Sequence, residues 1–271
     1  MELNDAVAIV TGAGSGIGAA LARRFAAEGA RAVVVSDRDG ASAQRVAEEI
    51  GGTPDTTDVT DEAAMARLVE RVLAAHGRID LFCSNAGVAI GGGVEVETPA
   101  WERAFAVHVL AHVYAARAAL PAMLARGKGY LLNVASAAGL LTSPGDAPYA
   151  VTKHAAVALA EWLAVTYGER GIGVSVVCPL GVATPLLLDP LEDGHPAASL
   201  VAASGEILSP DDVARSVIAG LSREQFLILP HPEVGVYWAQ KAADPDRWLA
   251  GVRRLVRTSG IGRPGEAPKS R

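Results

Sequence analysis

Thr11-Gly12-Ala13-Gly14-Ser15-Gly16-Ile17-Gly18 stands between residues 6–11 (AVAIVT) and a helical pattern over 19–28 that Gly29 closes. AVAIVT is short, β-branched and almost continuously apolar, which suits a strand buried on both faces of a parallel sheet. A glycine-rich turn from such a strand into a helix lets the backbone turn tightly. It also lets a pyrophosphate reach the N–H groups at the helix start, where the dipole favours an anion. A glycine-rich loop alone also suits a plain tight turn; its place after the first strand and an acid further on strengthen the dinucleotide reading. That acid is Asp37, which ends a second buried strand, 32–36 (AVVVS), 19 residues after Gly18. At this distance a carboxylate can accept hydrogen bonds from the adenosine ribose hydroxyls and repel a 2′-phosphate. The plain alternative is a solvated acid at a strand end. Arg38 is adjacent and can stack on the adenine or meet a 2′-phosphate, so NAD is favoured and NADP is the less favoured cofactor.

Outward from this stretch, strands and helices alternate. Residues 41–50 read as a helix and 53–57 as a weak strand; Asp61 begins an amphipathic helix to about His76, stopped by Gly77. The fourth strand, 79–84 (IDLFCS), and the fifth, 130–135 (YLLNVA), flank a long helical pattern over 99–126 in which Pro121 is the candidate kink. A helix over 148–169 ended by Gly171, a sixth strand at 174–178 (VSVVC), a helix after Pro210 and a short strand at 226–229 follow. This order implies an α/β fold, a doubly wound parallel sheet with right-handed crossovers, as a single domain over 1–271. Residues 180–209 are the one long irregular stretch in the middle. Such a loop after the C-terminal end of a strand is expected to be a lid over the ligand crevice. Residues 258–271, rich in Gly, Pro, Ser and charge, read as a frayed tail.

Composition bounds the function. Half the residues are hydrophobic and 20% are charged, which excludes disorder over most of the length. Twenty-four Lys and Arg against 30 Asp and Glu leave a net charge of −6, which argues against a nucleic-acid or anionic-membrane binder. Cys83 and Cys178 lie in apolar runs and read as buried free thiols; no Cys/His cluster has zinc spacing, so no metal is expected. No uncharged apolar run is long enough to span a bilayer, since 104–120 contains His108, His112 and Arg117. The acidic start, Met-Glu-Leu-Asn-Asp, runs straight into a strand and is not a signal peptide. A cytoplasmic enzyme is the expectation.

Tyr149-Ala150-Val151-Thr152-Lys153 lies on a helix, and an i, i+4 spacing puts Tyr149 and Lys153 on one face. A free tyrosine has a pKa near 10, and a nearby ammonium is expected to lower it. The pair then suits moving a proton to or from an alcohol oxygen. Alone, the spacing also marks a solvated helix face. Ser136, 13 residues earlier and just past the fifth strand, offers a hydroxyl for a substrate oxygen.

Taken together, TGAGSGIG, Asp58-Val59, Asn85-Ala86-Gly87, Ser136, Tyr149-x-x-x-Lys153 and Pro179-x-Gly181-x-x-Thr184 occur in one order at fitting spacings. Over roughly residues 6–229 the chain resembles the short-chain dehydrogenase/reductases. The resemblance implies a Rossmann sheet of about seven strands and hydride transfer to or from a nicotinamide. It implies Tyr149 as acid/base, Lys153 as pKa modifier and ribose ligand, and Ser136 as orienter of the carbonyl. Gly12, Ser15, Gly16, Ile17 and Gly18 would cradle the pyrophosphate, and Asp37 and Arg38 would meet the adenosine. Asp58 and Val59 would frame the adenine, and Asn85, Ala86 and Gly87 would line the cofactor channel. Pro179, Gly181, Val182 and Thr184 carry the last motif, with Val182 and Thr184 holding the carboxamide and pyrophosphate.

Two positions depart from the family. His108 stands where an asparagine commonly supports a water relay behind the lysine; it is either a satisfied core histidine or a substitute in that relay. Leu180 stands where a glycine usually follows the proline. Pro185-Leu186-Leu187-Leu188 and Leu140-Leu141 are expected to make the substrate pocket mostly apolar. Residues 231–254, with Trp238 and Trp248, are expected to cover the pocket or pack on a neighbouring subunit. Surplus apolar positions on 99–126 and 148–169 predict a homotetramer or dimer. The expected function is hydride transfer between NAD(H) and a hydrophobic secondary alcohol or ketone, with this small-molecule alcohol or carbonyl compound as the partner. The rivals are an NADP-dependent carbonyl or quinone reductase and a dinucleotide-binding regulator that has lost turnover.

Overall fold

The computed structural model describes residues 1–258. The chain begins β1 (Val7–Thr11), α1 (Gly16–Ala27), β2 (Ala32–Asp37), α2 (Gly40–Ile50), β3 (Thr53–Thr56), α3 (Glu62–His76) and β4 (Leu81–Ser84). It continues with α4 (Thr98–Phe105), α5 (Ala111–Ala125), β5 (Gly129–Val134), α6 (Ala147–Tyr167) and β6 (Ile172–Val177). Then come β7 (Gly181–Val182), α7 (Pro185–Glu192), α8 (Pro196–Ala203), β8 (Ile207–Leu208), α9 (Pro210–Ser222) and β9 (Leu227–Ile228). Helices α10 (Pro232–Ala243) and α11 (Pro245–Thr258) close the described chain. The tail expected at 258–271 lies outside the described residues from 259 on.

Seven strands form one parallel sheet in the order β3-β2-β1-β4-β5-β6-β9. Strand order reverses between β1 and β4, so the crevice of this Rossmann-type sheet opens above their C-terminal ends. The interior strands β1, β4 and β5 are buried at every residue, which is why they read as unbroken apolar runs. Strand β3 is an edge strand, where Pro54 costs no ladder bond on its outer side. One hydrophobic core packs on each face of the sheet. Helix starts follow local chemistry: Asp39 caps α2 through the Ala41 N–H, Asp61 caps α3 through the Ala64 N–H, and Ser209 with Asp212 makes a capping box on α9. Gly51 and Gly77 end α2 and α3 in the left-handed conformation.

The structure differs from the sequence reading in two places that matter to the site. Residues 98–125 are helical throughout; α5 runs on through Pro121, and a π-helical turn that the sequence did not signal stands at Ala106–Leu110. Pro121 is exposed, so the carbonyl it leaves without a donor can face water. The 180–209 stretch is not irregular: α7, α8 and the two-stranded β7–β8 pair occupy most of it. Its short helices each begin with proline, and their apolar periodicity is too brief to stand out in sequence. Thr98–Ala125 has the length and apolarity of a membrane span, but half of its most apolar window is buried inside the protein.

Candidate active site

A cavity of about 480 Å³ lies above the C-terminal ends of the central strands. Gly12, Ser15, Gly16 and Ile17 bound it on one side, and Asp37, Arg38, Asp58 and Val59 close that end. Asn85, Ala86 and Gly87 run along its length. Ser136, Tyr149, Lys153, Pro179, Val182 and Thr184 bound the other end. Of the residues expected to hold a cofactor, Gly18 and Gly181 do not face the cavity; they act on its walls.

The glycine loop leaves no room for side chains. Gly12 has a φ of +62°, and a Cβ there would fall 2.7 Å from the Ala86 Cα. A Cβ on Gly18 would fall 2.2 Å from the Gly12 carbonyl oxygen. Ser15 is the N-cap of α1, yet its side chain makes no capping hydrogen bond, so no side chain competes for the N–H groups of the first turn. These features fit a pyrophosphate bound at a helix start.

The loop is stitched to the neighbouring strand ends. Asp37 accepts from the Gly14 N–H at 2.9 Å and the Asp39 N–H at 3.0 Å, so its carboxylate also braces the loop it was expected only to border. Arg45, which sequence reasoning passed over, donates to the Gly14 carbonyl at 3.1 Å. Asn85 donates from its side chain to the Thr11 carbonyl at 2.9 Å and the Gly12 carbonyl at 3.1 Å. The backbone N–H and hydroxyl of Thr60 hold the Asp58 carboxyl below the usual range, with Arg38 and Arg103 contributing. Thr57, Thr60 and Arg103 line the same end and were missed in sequence, because nothing in their spacing marks them.

At the other end, Ser136 caps a single 3₁₀ turn through the Ala138 N–H, and its hydroxyl lies 3.5 Å from the Pro179 carbonyl. Asp146 caps α6 by accepting from the Tyr149 N–H at 3.0 Å, and its other oxygen accepts from the Ile90 N–H at 3.3 Å. The Asp-x-x-Tyr spacing of a helix start could have flagged Asp146. Lys153 donates to the Val134 carbonyl at 3.1 Å, with Nζ 5.5 Å from the Tyr149 ring centre.

The expectation that Lys153 lowers the Tyr149 pKa is not met by the protein groups alone. Burial pushes the Tyr149 phenol up to about 12, only partly offset by the Ser136 hydroxyl, and burial pulls Lys153 down to about 8. Desolvation penalises both charged forms, so the phenol is held protonated.

His108 does not fit the relay expectation. Its Nε2 accepts from the Val88 N–H at 3.0 Å, and its Nδ1 lies 2.8 Å from Thr152 Oγ1. The Thr152 hydroxyl donates to the Pro148 carbonyl at 2.7 Å, so Nδ1 carries the proton and both ring nitrogens have protein partners. The ring also meets the Tyr149 ring edge to face, 5.4 Å between centres. Burial first, and Lys153 second, push His108 down to about 2. The histidine therefore spans the Val88 loop and the turn of α6 that carries Tyr149, from a position set by the π-helical turn.

One turn on, the buried His112 is pushed down to about 4 by burial and meets Asn133 Oδ1 at 2.9 Å. His112 Nε2 and Asn133 Nδ2 have no hydrogen-bond partner among the described residues. Leu140 packs into the core rather than lining the cavity, and Leu141 packs against it; Val88, Leu180, Pro185 and Leu186 supply the apolar lining instead. Cys83 and Cys178 are buried free thiols. Among the described residues no group of three or more His, Cys, Asp or Glu is placed to hold a metal ion.

Residues 6–193 match the family described as short chain dehydrogenase. The 1-deoxy-11-beta-hydroxypentalenate dehydrogenase of Streptomyces exfoliatus is 36% identical over 250 residues, which span 87% of this chain and 86% of that protein. The meso-2,3-butanediol dehydrogenase of Serratia marcescens is 32% identical over 248 residues, 90% of this chain and 98% of that protein. A solved short chain dehydrogenase/reductase from Burkholderia phymatum, in complex with NAD, is similar over 100% of both chains with a TM-score of 0.83 and 27% identity. With this sheet order and most of its length matched, the chain belongs to the short-chain dehydrogenase family.

Proposed function

We propose that this protein is an NAD(H)-dependent oxidoreductase that interconverts a hydrophobic secondary alcohol and its ketone. The observation that carries the reading is one continuous cavity with the glycine loop and Asp37 at one end and Ser136, Tyr149 and Lys153 at the other. The loop that admits no Cβ at Gly12 or Gly18, the uncapped start of α1 and Asp37 fit a dinucleotide, and the relatives named as dehydrogenases and the NAD-bound neighbour support the same chemistry. When bound, the nicotinamide supplies or takes up the hydride.

The chain's own groups manage the proton and the orientation. Tyr149, protonated by burial, donates to a ketone oxygen in reduction, and its phenolate takes the alcohol proton in oxidation. Ser136 hydrogen-bonds the same substrate oxygen. Lys153, with Nζ 5.5 Å from the Tyr149 ring centre, would hold the ribose of the bound dinucleotide. His108 acts as a positioning residue between the Val88 loop and α6. It leaves Ser136, Tyr149 and Lys153 grouped, so the reading as a regulator without turnover loses its support. Asp37 favours NAD, and Arg38 beside it keeps NADP as the less favoured cofactor.

We further propose a single domain and a cytoplasmic, self-associating protein without membrane or nucleic-acid partners. The exposed Phe105, Leu110, Val151, Trp162 and Val165, spread over the 98–110 helix and α6, support a dimer or tetramer. Light scattering that finds only a monomer would contradict this. The functional test is NADH absorbance during incubation with NAD and a panel of secondary alcohols. Turnover supports the reading, and its absence together with an absence of NADH binding overturns it.

A further inference from the structure

His231, the N-cap residue before helix α10, is only 2% exposed. The Leu180 N–H donates to His231 Nδ1 at 3.1 Å, and Nε2 lies 3.1 Å from the Gly181 and Glu206 carbonyl oxygens. A ring nitrogen facing an N–H must offer its lone pair, and one facing two carbonyls must carry the proton, so these partners put the lone pair on Nδ1 and the proton on Nε2. One side chain thus ties the first residues of the 180–209 segment to Glu206, which precedes β8.

Leu180 stands beside Ser136. The Pro179 carbonyl accepts from the Ala137 N–H at 2.8 Å, so the chain turns into Leu180 directly next to the serine. The Leu180 side chain lines the cavity and leans over Gly205, where a Cβ would lie 3.0 Å from its Cδ2. Helix α10 is fixed at its far end too: Lys241 Nζ donates to the Leu140 and Leu141 carbonyls at 2.7 Å each. The two ends of α10 therefore grip backbone on either side of the site, one after Pro179 and one after Ser136. Releasing the Leu180 N–H from His231 would leave the buried His231 acceptor and the half-buried Leu180 donor unpaired, which holds the leucine in place.

We propose that Leu180, fixed by His231, is the specificity-determining wall of the substrate end and limits the bulk of the alcohol or ketone that fits beside Ser136. This rests on the oxidoreductase reading above. It gives the leucine that replaces a glycine a definite role, and it makes His231 a positioning residue.

The test uses ketones graded from short-chain to polycyclic, with NADH, and four proteins: wild type, Leu180→Ala, His231→Asn and His231→Gln. An asparagine amide oxygen sits where Nδ1 does and keeps the acceptor for Leu180. A glutamine amide reaches where Nε2 does, keeps the contacts to Gly181 and Glu206, and releases Leu180. In Leu180→Ala the ratio of kcat/KM for the bulkiest ketone to that for the smallest should rise by about tenfold or more, the scale of a changed apolar wall. His231→Gln should move the ratio the same way, and His231→Asn should keep the wild-type value. In parallel, amide hydrogen exchange over 180–184 should quicken in His231→Gln but not in His231→Asn. An unchanged size ratio in an active Leu180→Ala enzyme, or unchanged exchange in His231→Gln, overturns the proposal. If the wild type reduces no ketone of any size, the oxidoreductase reading falls instead, and the exchange comparison still decides whether His231 holds Leu180.

Discussion

At the glycine-loop end of the cavity, Gly14, Asp37 and Asp39 hold one another across the ends of β1 and β2, and Asn85 crosses from β4 to Thr11 and Gly12. At the other end, Leu180 is held by His231, 51 residues on, and Leu140 by Lys241, 101 residues on. The first end is built from backbone that only glycine permits and from strand-end polar groups. The second is built from side chains on later helices gripping earlier backbone. A site made of local geometry tolerates little change in its own residues. A site made of distant grips can be reshaped one side chain at a time, which suits an end that must recognise a particular substrate.

The largest expected effect lies at the catalytic end. Tyr149→Phe removes the proton donor and keeps the ring against His108, so turnover should fall by at least about a hundredfold. NADH affinity should change little, because the glycine loop and Asp37 are untouched. Steady-state kinetics beside fluorescence titration checks both, and a Phe variant with most of its activity would break the assignment of Tyr149.

His108 bridges the Val88 loop, which continues the Asn85–Gly87 channel wall, and the α6 turn that carries Tyr149, and its two nitrogens can be separated. His108→Asn keeps a donor toward Thr152 and strands the Val88 N–H; His108→Gln keeps an acceptor toward Val88 and removes the donor that the Thr152 oxygen accepts from, while its hydroxyl still bonds Pro148. An unpaired buried group costs about 1–3 kcal/mol, roughly tenfold or more in the quantity it supports. The Asn variant should therefore lose NADH affinity more than turnover, and the Gln variant turnover more than affinity. Equal losses in both would reduce His108 to a packing residue.

The glycine loop and Asp37 at the first end, and Tyr149 and Lys153 at the second, were legible from the sequence, because each stood at a spacing tied to one strand–turn–helix or one helix turn, with Ser136 just past the end of a strand. The long-range grips were not, because His231 and Lys241 at the second end and Arg45 at the first act on backbone far from them in sequence, and no local pattern marks such a pairing. The 180–209 helices were hidden for a related reason: α7 and α8 have eight residues each, too few for an apolar period to declare itself. The π-helical turn at Ala106–Leu110 leaves no compositional trace, whereas Pro121, the visible breaker, sits where water can serve the freed carbonyl.

A smaller effect concerns acid stability. Burial holds His108 at about 2 and His112 at about 4, against an ordinary 6.5. As pH falls below 6.5 the unfolded chain takes up protons that the folded chain refuses, so stability drops. Each histidine should contribute up to about 1.4 kcal/mol per pH unit, and the His112 share should end near pH 4. Urea midpoints for wild type and His112→Leu, from neutral pH down to about pH 5, measure this. The variant should show the shallower slope, and matching slopes would mean that His112 is not held neutral.

The central claim, that this cavity takes NAD(H), is tested most directly by titrating NADH and NADPH into the wild-type protein and following fluorescence. The 2′-phosphate would meet the Asp37 carboxylate, so NADH should bind at least about tenfold more tightly, roughly 1.4 kcal/mol. Tighter binding of NADPH would hand the preference to Arg38, and binding of neither would contradict the account.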